Sequence, residues 1–334
     1  MAKVSLKSIA KEFDVSTATV SLVLNGKDKN GRVSKALSEK ILQMAKELNY
    51  MPNSLAKGLR AGNSKTLGLI VADITNVFFG SLAFQIQEKA EIAGYTVIIG
   101  NTNENIDKMS KMVDLLRRRQ VDGFIITPTE GSEHIIQSIL EHEIPLVLVD
   151  RYFPDLRVCS VTINNYQISY DAVQSLIKKG CKKIGVIVYV SDNQSHMNDR
   201  KNGYLQAVTD ANILDQSLIN EVSYTNLEND IDQAVTNLLY NGVDGIFFAT
   251  NSISIIGLRK IISMKNFDFA KINYMCFDEN DAYCLLPFKI PYVKQPIKEM
   301  AEKAVNQIID QIERNLRKSK LKAKYINLDI KPKK

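Results

Sequence analysis

Tryptophan is absent from this 334-residue sequence, and histidine and cysteine are scarce, with three and four residues respectively. The four cysteines, Cys159, Cys181, Cys276 and Cys284, show neither CxxC pairing nor metal-ligand spacing, which argues against a disulfide framework and against a zinc site. Three histidines leave little imidazole for metal binding or acid–base catalysis. We therefore expect no metal ion and no cofactor.

Long apolar runs and catalytic signatures are also missing. No apolar stretch approaches the roughly 20 residues that span a bilayer, and the opening MAKVSLKSIA lacks the apolar core of a secretory signal. We therefore expect a cytoplasmic protein. Walker A, GxGxxG, HExxH and GxSxG motifs are absent, so we expect no enzyme. Fold alone would not exclude one, because doubly wound sheets host many enzymes.

Positive charge is concentrated near the start of the chain. Residues 1–65 hold 12 Lys and Arg against 5 Asp and Glu, whereas the remaining 269 residues carry a net charge of −1. Such a basic segment is suited to neutralising the phosphates of nucleic acid. Residues 298–334 are basic as well, with 11 Lys and Arg against 5 Asp and Glu, which by itself indicates a solvated face.

Three short amphipathic helices are predicted within the basic segment. Ser5, Ser16 and Ser34 are good N-caps, and Asp14 tolerates the left-handed backbone of a tight turn between the first two helices. The second helix, residues 17–24, buries its valines and keeps a small polar outer face. This pattern is typical of a helix-turn-helix. The alternative is a three-helix domain with a solvated basic surface.

NYMPNSLAKGLRAG (49–62) resembles the hinge signature of the LacI/GalR family of bacterial transcriptional regulators, and TATVSLVLNG (17–26) resembles that family's recognition helix. The resemblance runs through nearly the whole chain. It implies a homodimer that binds a pseudo-palindromic double-stranded DNA operator, most often as a repressor, under the control of a small-molecule effector. The residues that it places at the DNA are Ser5, Leu6, Lys7, Ser16, Thr17, Ala18, Thr19, Ser21, Leu22, Asn25, Arg32, Ser34, Tyr50, Asn53, Ala56, Lys57, Leu59 and Arg60.

The hinge segment contains a short predicted helix that Asn53 can cap. A helix of about six residues is unstable alone in water, so its folding is expected to be coupled to DNA binding. By the resemblance, Leu59 wedges between base pairs at the operator centre, and Ala56 allows a close approach. Lys57 and Arg60 would reach phosphates. The alternative is a plain flexible linker.

The outer face of the second helix carries few groups that can read bases by hydrogen bonds. Ala18 and Leu22 stand where a base-reading helix would use polar side chains, which leaves Thr17, Ser21 and Asn25 to donate or accept. The two apolar residues can meet thymine methyl groups instead. We therefore expect operator half-sites that are rich in A·T pairs.

From Thr66 onward, short apolar runs alternate with amphipathic segments, the pattern of buried parallel strands in doubly wound sheets. VDGFIITP and VDGIFFAT start 122 positions apart, and LGLIVAD and IGVIVYV start 117 apart, so two similar halves are predicted. The resemblance implies a periplasmic-binding-protein-like core. The predicted fold class is therefore an all-α helix-turn-helix headpiece followed by an α/β core of two doubly wound parallel-sheet subdomains.

The domain boundaries follow from these patterns and from YVKQP (292–296), which is similar to the family's crossover back into the first subdomain. The tail lacks the leucine heptads that tetramerise some family members, so we predict a dimer. The predicted boundaries are 1–52 for the headpiece, 53–64 for the hinge helix and linker, 65–334 for the effector-binding and dimerisation core, about 65–163 plus 292–322 for its first subdomain, and about 164–291 plus 323–334 for its second.

Polar and aromatic side chains follow several strands at the predicted cleft between the halves, where ligands bind in such folds. Arg200 matches the family arginine that contacts effector. Each candidate also has a simpler explanation as a cap, turn residue or ion pair, above all Asp150 and Arg151. The candidates are Asp73, Asn76, Phe78, Phe79, Asp150, Arg151, Gln194, His196, Arg200, Asn251 and Asp278.

Aromatic faces beside carboxylate, amide and guanidinium groups suit a polyhydroxylated ligand. A sugar, a sugar phosphate or a nucleoside would qualify, and a purine base is the second possibility. A solute-binding protein for transport is the alternative function, but it needs export, and no signal sequence is recognisable. The sequence thus predicts a ligand-controlled transcriptional regulator.

Overall fold

The computed structural model describes residues 5–26, 28, 33–48, 50, 63–191, 195–264, 268–286, 288–316 and 325–328. The chain divides into a small unit, residues 1–64, and a large unit, residues 65–334. Within the described ranges, no helix combines the length and the apolar composition needed to cross a bilayer. The predicted site residues that lie outside the described residues are Arg32, Asn53, Ala56, Lys57, Leu59, Arg60 and Gln194.

The small unit contains three capped helices: α1 (Leu6–Glu12), α2 (Thr17–Leu24) and α3 (Lys35–Glu47). The hydroxyls of the three predicted cap serines each accept a hydrogen bond from a backbone N–H of the first turn, at 3.1–3.4 Å. Asp14 has a φ of 46° between α1 and α2, the left-handed conformation that the tight turn requires. These local signals produce the predicted helix-turn-helix.

Packing of the small unit depends on one apolar residue pair from each helix. Side chains from all three helices meet in a core that excludes water, which leaves the N-terminal and outer parts of α2 accessible. Leu48 is exposed because it lies just past the end of α3. The buried core residues are Ile9, Ala10, Val20, Val23, Ile41 and Ala45.

Strands and helices alternate along the large unit. Its strands are β1 (Thr66–Val71), β2 (Thr96–Asn101), β3 (Gly123–Ile126), β4 (Leu146–Val149), β5 (Cys159–Ile163), β6 (Ile184–Tyr189), β7 (Ile219–Val222), β8 (Gly245–Phe248), β9 (Asn273–Phe277), β10 (Tyr292–Val293) and β11 (Tyr325–Leu328). Its α-helices are α4 (Val77–Ile92), α5 (Ile106–Arg118), α6 (Glu133–Glu141), α7 (Asn165–Lys178), α8 (Ser195–Asp210), α9 (Leu227–Tyr240), α10 (Asn251–Ser263) and α11 (Ile297–Leu316).

These strands form two parallel sheets with the same internal order. The first subdomain has the order β11-β5-β4-β3-β1-β2, and the second has β10-β9-β8-β6-β7. In register, Leu67 of β1 pairs with Gly123 of β3, as Ile184 of β6 pairs with Gly245 of β8. Strands β1 to β5 therefore correspond one by one to β6 to β10. The predicted fold class is confirmed.

Strand β7 does not appear among the apolar runs of the sequence. It reads INEV and lies at the end of the second sheet order, where only Val222 is buried. An edge strand of this kind needs no continuous apolar run, because one side of it faces solvent. The repeat spacing of 122 positions places the counterpart of β2 at about residues 218–223, so the internal repeat carries the signal that composition lacks.

The chain crosses between the subdomains differently from the predicted boundaries. Tyr292–Val293 still pairs with β9 of the second sheet, and the return to the first subdomain follows only after it. Helix α11 then packs on α4 and on β3 to β5. The placement of 323–334 in the second subdomain is wrong for Tyr325–Leu328, because β11 takes its backbone hydrogen bonds from the free edge of β5.

A close contact between two helices shapes the second subdomain's side of the cleft between the two halves. Helices α7 and α8 pack face to face, and Gly203 makes this possible, because a Cβ atom at that position would overlap the carbonyl oxygen of Tyr166. Arg200 lies one turn before Gly203 on α8. The approach of the two helices therefore brings Arg200 to the first residue of α7, Asn165.

Candidate functional site

The outer face of α2 presents the predicted base-reading residues. Thr17, Ala18 and Asn25 are exposed, whereas Ser21 and Leu22 are half-buried. The Asn25 amide already donates to the Ser21 carbonyl oxygen at 2.7 Å and to the Ser21 hydroxyl at 3.3 Å. This face therefore has fewer free hydrogen-bond donors than the sequence indicates. Apolar contacts become correspondingly more important for the predicted recognition of bases.

Several residues that are predicted to contact DNA also stabilise the small unit. Ser5, Ser16 and Ser34 are helix caps, and the Thr19 hydroxyl lies 3.0 Å from the Ser16 hydroxyl. Caps of this kind place a helix N-terminus at the surface, where its first N–H groups can meet a phosphate. Lys7 is exposed, while Leu6 and Tyr50 are half-buried and pack on the core of the small unit.

A cavity of about 420 Å³ lies between the two sheets of the large unit, at the carboxyl ends of their strands. We call it the central cavity. Of the eleven residues predicted for the effector, Asn251 does not line it and Gln194 lies outside the described residues. The predicted residues that line it are Asp73, Asn76, Phe78, Phe79, Asp150, Arg151, His196, Arg200 and Asp278.

Two carboxylates occupy equivalent places in the two halves. Asp150 follows β4 and Asp278 follows β9, and both have left-handed backbones with φ of 71° and 72°. Asn103 and Glu104, which follow β2 and also line the central cavity, have φ of 50° and 54°. Non-glycine residues in this region cost about 1–3 kcal/mol each and are typical of binding sites. The backbone strain points to the same cavity.

Arg200 enters the central cavity from α8 and is almost completely buried. Its Nε donates to Asn165 at 2.9 Å, its Nη1 donates to the Ala249 carbonyl oxygen at 2.8 Å, and its Cζ lies 3.5 Å from the ring centroid of Phe277. Within the described part of the chain, its Nη2 atom donates to no protein group. The guanidinium is therefore fixed in place with one nitrogen free for a ligand.

Arg151 is paired within the first subdomain. Its Nη1 and Nη2 atoms donate to the two carboxylate oxygens of Glu104 at 2.8 and 2.5 Å, and Nη1 also donates to the Pro128 carbonyl oxygen at 3.2 Å. A forked pair of this kind is the strongest arrangement of an arginine and a carboxylate. Arg151 is therefore mainly a structural cation at the wall of the central cavity, in line with the simpler explanation given for it.

Asp150 places a buried carboxylate in the wall of the central cavity. Burial raises its pKa to about 6, although Arg151 and Arg200 act in the opposite direction. No described residue donates a hydrogen bond to its carboxylate, and Arg151 Nε lies 3.5 Å from its Oδ2. Burial likewise raises the pKa of Asp278, which accepts a hydrogen bond from Gln295 at 2.6 Å. Both carboxylates need donors that the protein does not fully supply.

Asp150→Asn is expected to stabilise the ligand-free protein above pH 6. Because burial raises the pKa of the Asp150 carboxyl in the folded protein to about 6, above its ordinary value of 3.8, protonation favours folding: this contribution to stability is fully present below about pH 4 and is lost as the pH rises through 6. Asparagine keeps the shape and tolerates the left-handed backbone. Thermal unfolding should show a gain of up to about 3 kcal/mol at pH 8 that vanishes near pH 4.

A matched control is Asp114→Asn, since Asp114 is exposed on α5 and does not line the central cavity. Its effect on stability should be small, as is usual for a substitution at an exposed position. A destabilised Asp150→Asn variant with a pH-independent difference from the parent would contradict the electrostatic account.

Aromatic rings line the central cavity from both subdomains. Phe78 and Phe79 meet edge to face with centroids 5.0 Å apart. On the opposite side, Tyr189 and Tyr224 stack in parallel, with centroids 3.8 Å apart and an interplanar angle of 7°. Flat rings and polar groups at one cavity allow a ligand to stack on its apolar faces while it forms hydrogen bonds at its edge.

Asn76 and Asn251 connect the two subdomains beside the central cavity. The Asn76 Oδ1 atom caps α4 by accepting from Phe78 N at 3.0 Å, and it also accepts from the Asn251 amide at 3.0 Å. The Asn76 amide donates to the Ser252 hydroxyl at 3.4 Å. These bonds hold the subdomains together directly.

His196 lies on α8 and faces the central cavity. Burial, then the Arg151 and Arg200 charges, holds its pKa well below the usual range, so the imidazole is neutral at physiological pH. Its Nδ1 atom has no hydrogen-bond partner among the described residues. Within those residues, no group of three or more His, Cys, Asp or Glu side chains could hold a metal ion.

Comparisons with known proteins agree with both parts of this geometry. Residues 5–53 match the family model described as "Bacterial regulatory proteins, lacI family", and residues 64–283 match "Periplasmic binding proteins and sugar binding domain of LacI family". The chain belongs to the LacI family. The resemblance found in the hinge and recognition-helix motifs is therefore confirmed.

Relatives of this LacI-family chain match over most of its length. The HTH-type transcriptional regulator RegA of Clostridium saccharobutylicum is 30% identical over 91% of each chain. The ribose operon repressor of Halalkalibacterium halodurans is 31% identical over 93% of this chain and 91% of that one. Both relatives are named as regulators of transcription.

A solved LacI-family structure shares the fold across both units. The transcriptional regulator from Silicibacter pomeroyi has a TM-score of 0.80 and covers 99% of this chain and 98% of its own, at 21% sequence identity. At that identity the likeness concerns the fold. It agrees with a helix-turn-helix followed by two parallel-sheet subdomains.

Several residues of this LacI-family cavity are not evident from the sequence. Glu104 and Tyr224 follow β2 and β7, the two equivalent edge strands, and Tyr189 ends β6. Gln295 lies in the last crossover segment. The signal that could have found the first three is their position directly after parallel strands, since every such end faces the same cavity. Gln295 has no comparable signal, because the crossing of the chain positions it.

Proposed function

We propose that the chain is a transcriptional repressor that binds a pseudo-palindromic operator as a homodimer and responds to a small hydroxylated molecule in the central cavity. The observation that carries this proposal is one chain joining a helix-turn-helix to a cavity with unpaired buried polar groups. Such a repressor would act in the cytoplasm, where its operator lies, and would catalyse no reaction.

An exposed apolar surface supports the homodimer. Val77, Phe84 and Ile92 lie on one stripe of α4, and Phe84 and Ile92 are 59% and 82% exposed. Ile98 and Ile99 are exposed on β2, which ends the order of the first sheet among the described strands. An apolar helix stripe beside a sheet edge is typical of an interface between proteins. We call it the α4–β2 surface.

Control by the ligand is supported by the position of the central cavity. Its walls come from both subdomains, and the bonds between Asn76, Asn251 and Ser252 cross directly beside it. A ligand that binds one arrangement of the subdomains more tightly than another shifts the population toward it, and DNA affinity changes by that differential affinity. The geometry therefore supports a link between occupancy of the central cavity by ligand and DNA affinity, whether the ligand strengthens or weakens DNA binding.

A sugar is the ligand class that the cavity supports best. The cavity combines aromatic faces with carboxylate, amide and guanidinium groups, which suit a ring with apolar faces and hydroxyl edges. The matching family model is described as a sugar binding domain, and one relative is named a ribose operon repressor.

A purine or nucleoside is the second candidate. The parallel stack of Tyr189 and Tyr224 gives the cavity a flat aromatic surface, which would suit a planar base. A purine offers fewer hydroxyl donors than a sugar, so the carboxylates of Asp150 and Asp278 would be less well satisfied.

The proposed function is tested by selecting operator sequences from random double-stranded DNA with the full chain and then titrating ligands. We expect a pseudo-palindrome with A·T-rich half-sites, and Leu59→Ala should weaken its binding by roughly tenfold or more without lowering the thermal stability of the large unit. Gel-shift titration measures the affinity. The matched control is Leu214→Ala, which truncates an exposed leucine of the large unit.

G-rich half-sites would contradict the readout that we propose for α2. Equal operator affinity of the parent and the Leu59→Ala variant would contradict the proposed hinge role. A selection that returns no sequence preference would contradict the regulator itself.

A further inference from the structure

The charges that line the central cavity do not balance. Among the described residues, its ionisable lining groups are four carboxylates and two guanidiniums, because the buried histidine is neutral. The cavity therefore carries a formal excess of two negative charges. Interactions between charges are much stronger in a buried site than in water, so this excess bears on which ligand can enter.

The two guanidiniums are already engaged by the protein. Arg151 gives its fork to Glu104 and to a backbone carbonyl, and Arg200 gives two nitrogens to Asn165 and to Ala249. Phosphate and carboxylate groups are usually held by a free guanidinium fork. Among the described residues, this cavity offers them two unpaired guanidinium nitrogens, Arg200 Nη2 and Arg151 Nε, which belong to different side chains and do not form one fork.

Helix N-termini near the central cavity are not free anion sites either. The helices α4 and α10 both begin at its wall, but Asn76 accepts from Phe78 N at 3.0 Å and Thr250 accepts from Ile253 N at 3.3 Å. Each cap takes up one first-turn amide N–H, and the backbone N–H of Asn251, the first residue of α10, already donates to the Asp278 carboxylate, so neither helix presents its full set of first-turn N–H groups to an anion.

Unpaired acceptors, in contrast, are abundant. The Asp150 carboxylate accepts no hydrogen bond from a described residue, although its side chain is buried. The Gln295 Oε1 atom is also buried without a partner in the described ranges, as is His196 Nδ1, which accepts or donates according to the imidazole tautomer. A ligand that brings hydrogen-bond donors would satisfy these acceptors in place of solvent.

We propose that the central cavity binds an uncharged molecule rich in hydroxyl groups and rejects phosphorylated or carboxylated derivatives of the same carbon skeleton. This inference rests on the proposed function and narrows its ligand class. The hydroxyls donate to Asp150 and to the other unpaired acceptors, and Arg200 Nη2 donates to one ligand oxygen. An added phosphate would meet the excess of carboxylates without a free guanidinium fork to hold it.

The test uses the full chain and matched pairs of ligands. Neutral sugars, each beside its phosphate ester and its aldonic acid, are titrated at pH 8 by calorimetry and by thermal shift. We expect at least one neutral sugar to bind, and each anionic derivative of it to bind at least about tenfold more weakly. An ester or acid that binds as tightly as its neutral parent overturns the inference.

The same titrations with variants show whether the cavity carboxylates cause the discrimination. Asp150→Asn should lower the ratio of the affinity for the neutral ligand to the affinity for its phosphorylated derivative by roughly tenfold, since it removes one negative charge and adds a hydrogen-bond donor. Glu104→Gln should also lower this affinity ratio, and it serves as the second variant if Asp150→Asn folds poorly. The exposed control Asp114→Asn should leave the ratio unchanged. An unchanged ratio in folded cavity variants contradicts the inference.

Failure of the ligand class is distinguishable from failure of the proposed function. Operator binding is measured in the same preparations. Binding of a purine alone, or of no neutral sugar, by protein that still binds its operator overturns the inference and leaves the regulator intact. Loss of operator recognition in the parent chain contradicts the proposed function instead.

Discussion

Replacing Arg200 with lysine is expected to weaken effector binding by about 10- to 100-fold while ligand-free operator binding stays unchanged. The lysine keeps the positive charge between Asp150 and Asp278, so the fold retains its balance of charge. Its single nitrogen, however, replaces three separate guanidinium nitrogens, so it can neither stack flat on Phe277 nor reach Asn165, the Ala249 carbonyl oxygen and a ligand oxygen at their separate positions. Calorimetry for the ligand and gel shift for the operator separate the two effects.

Alanine at the same position is a poorer test of function. It would remove the cation that faces the buried Asp278 carboxylate and one of the two cations beside Asp150, and breaking a buried charged network in this way costs about 3–5 kcal/mol. The neighbouring Lys201 provides the control, since its ion pair with Glu221 is at the surface, where such pairs contribute little. Lys201→Ala should bind ligand like the parent. An Arg200→Lys variant with full ligand affinity would remove Arg200 from the proposed site.

Disrupting the α4–β2 surface should have the largest effect on DNA binding. Phe84→Asp places a charge at the middle of the exposed stripe of α4, and we expect it to convert the proposed dimer to a monomer at micromolar concentration. Two linked headpieces bind two half-sites with a gain of about 10²–10⁴ over one headpiece, so operator affinity should fall by that factor. Sedimentation and gel shift measure the two quantities.

Tyr240→Asp is the matched control for this prediction. Tyr240 ends α9 in the second subdomain, is 90% exposed, and receives the same new charge. It should change neither the oligomeric state nor operator affinity. A Phe84→Asp variant that remains dimeric would contradict the assignment of the interface, and a parent chain that sediments as a stable tetramer would contradict the predicted dimer.

Local signals explain why much of this molecule is evident from its sequence. Ser5, Ser16 and Ser34 cap helices because the groups they satisfy lie three residues away, and Asp14 adopts the predicted left-handed turn. The alternation of apolar runs with amphipathic segments is likewise a local signal, and it determines the strands and helices that build the two parallel sheets. Candidates at strand ends, such as Asp278, reach the cavity because all parallel strands end on one side.

The tertiary structure alone decided how these groups are used. Arg151 pairs with Glu104, 47 positions away, and Asn76 bonds to Asn251, 175 positions away. The uneven charge of the central cavity also arises from residues that are distant in the sequence. The edge strand β7 and the return of β11 to the first sheet likewise depend on hydrogen bonds from distant backbone. Sequence patterns determine the elements and which way they face, because those depend on near neighbours. Which charge meets which, and which acceptor stays unpaired, depends on distant contacts that the folded chain alone establishes.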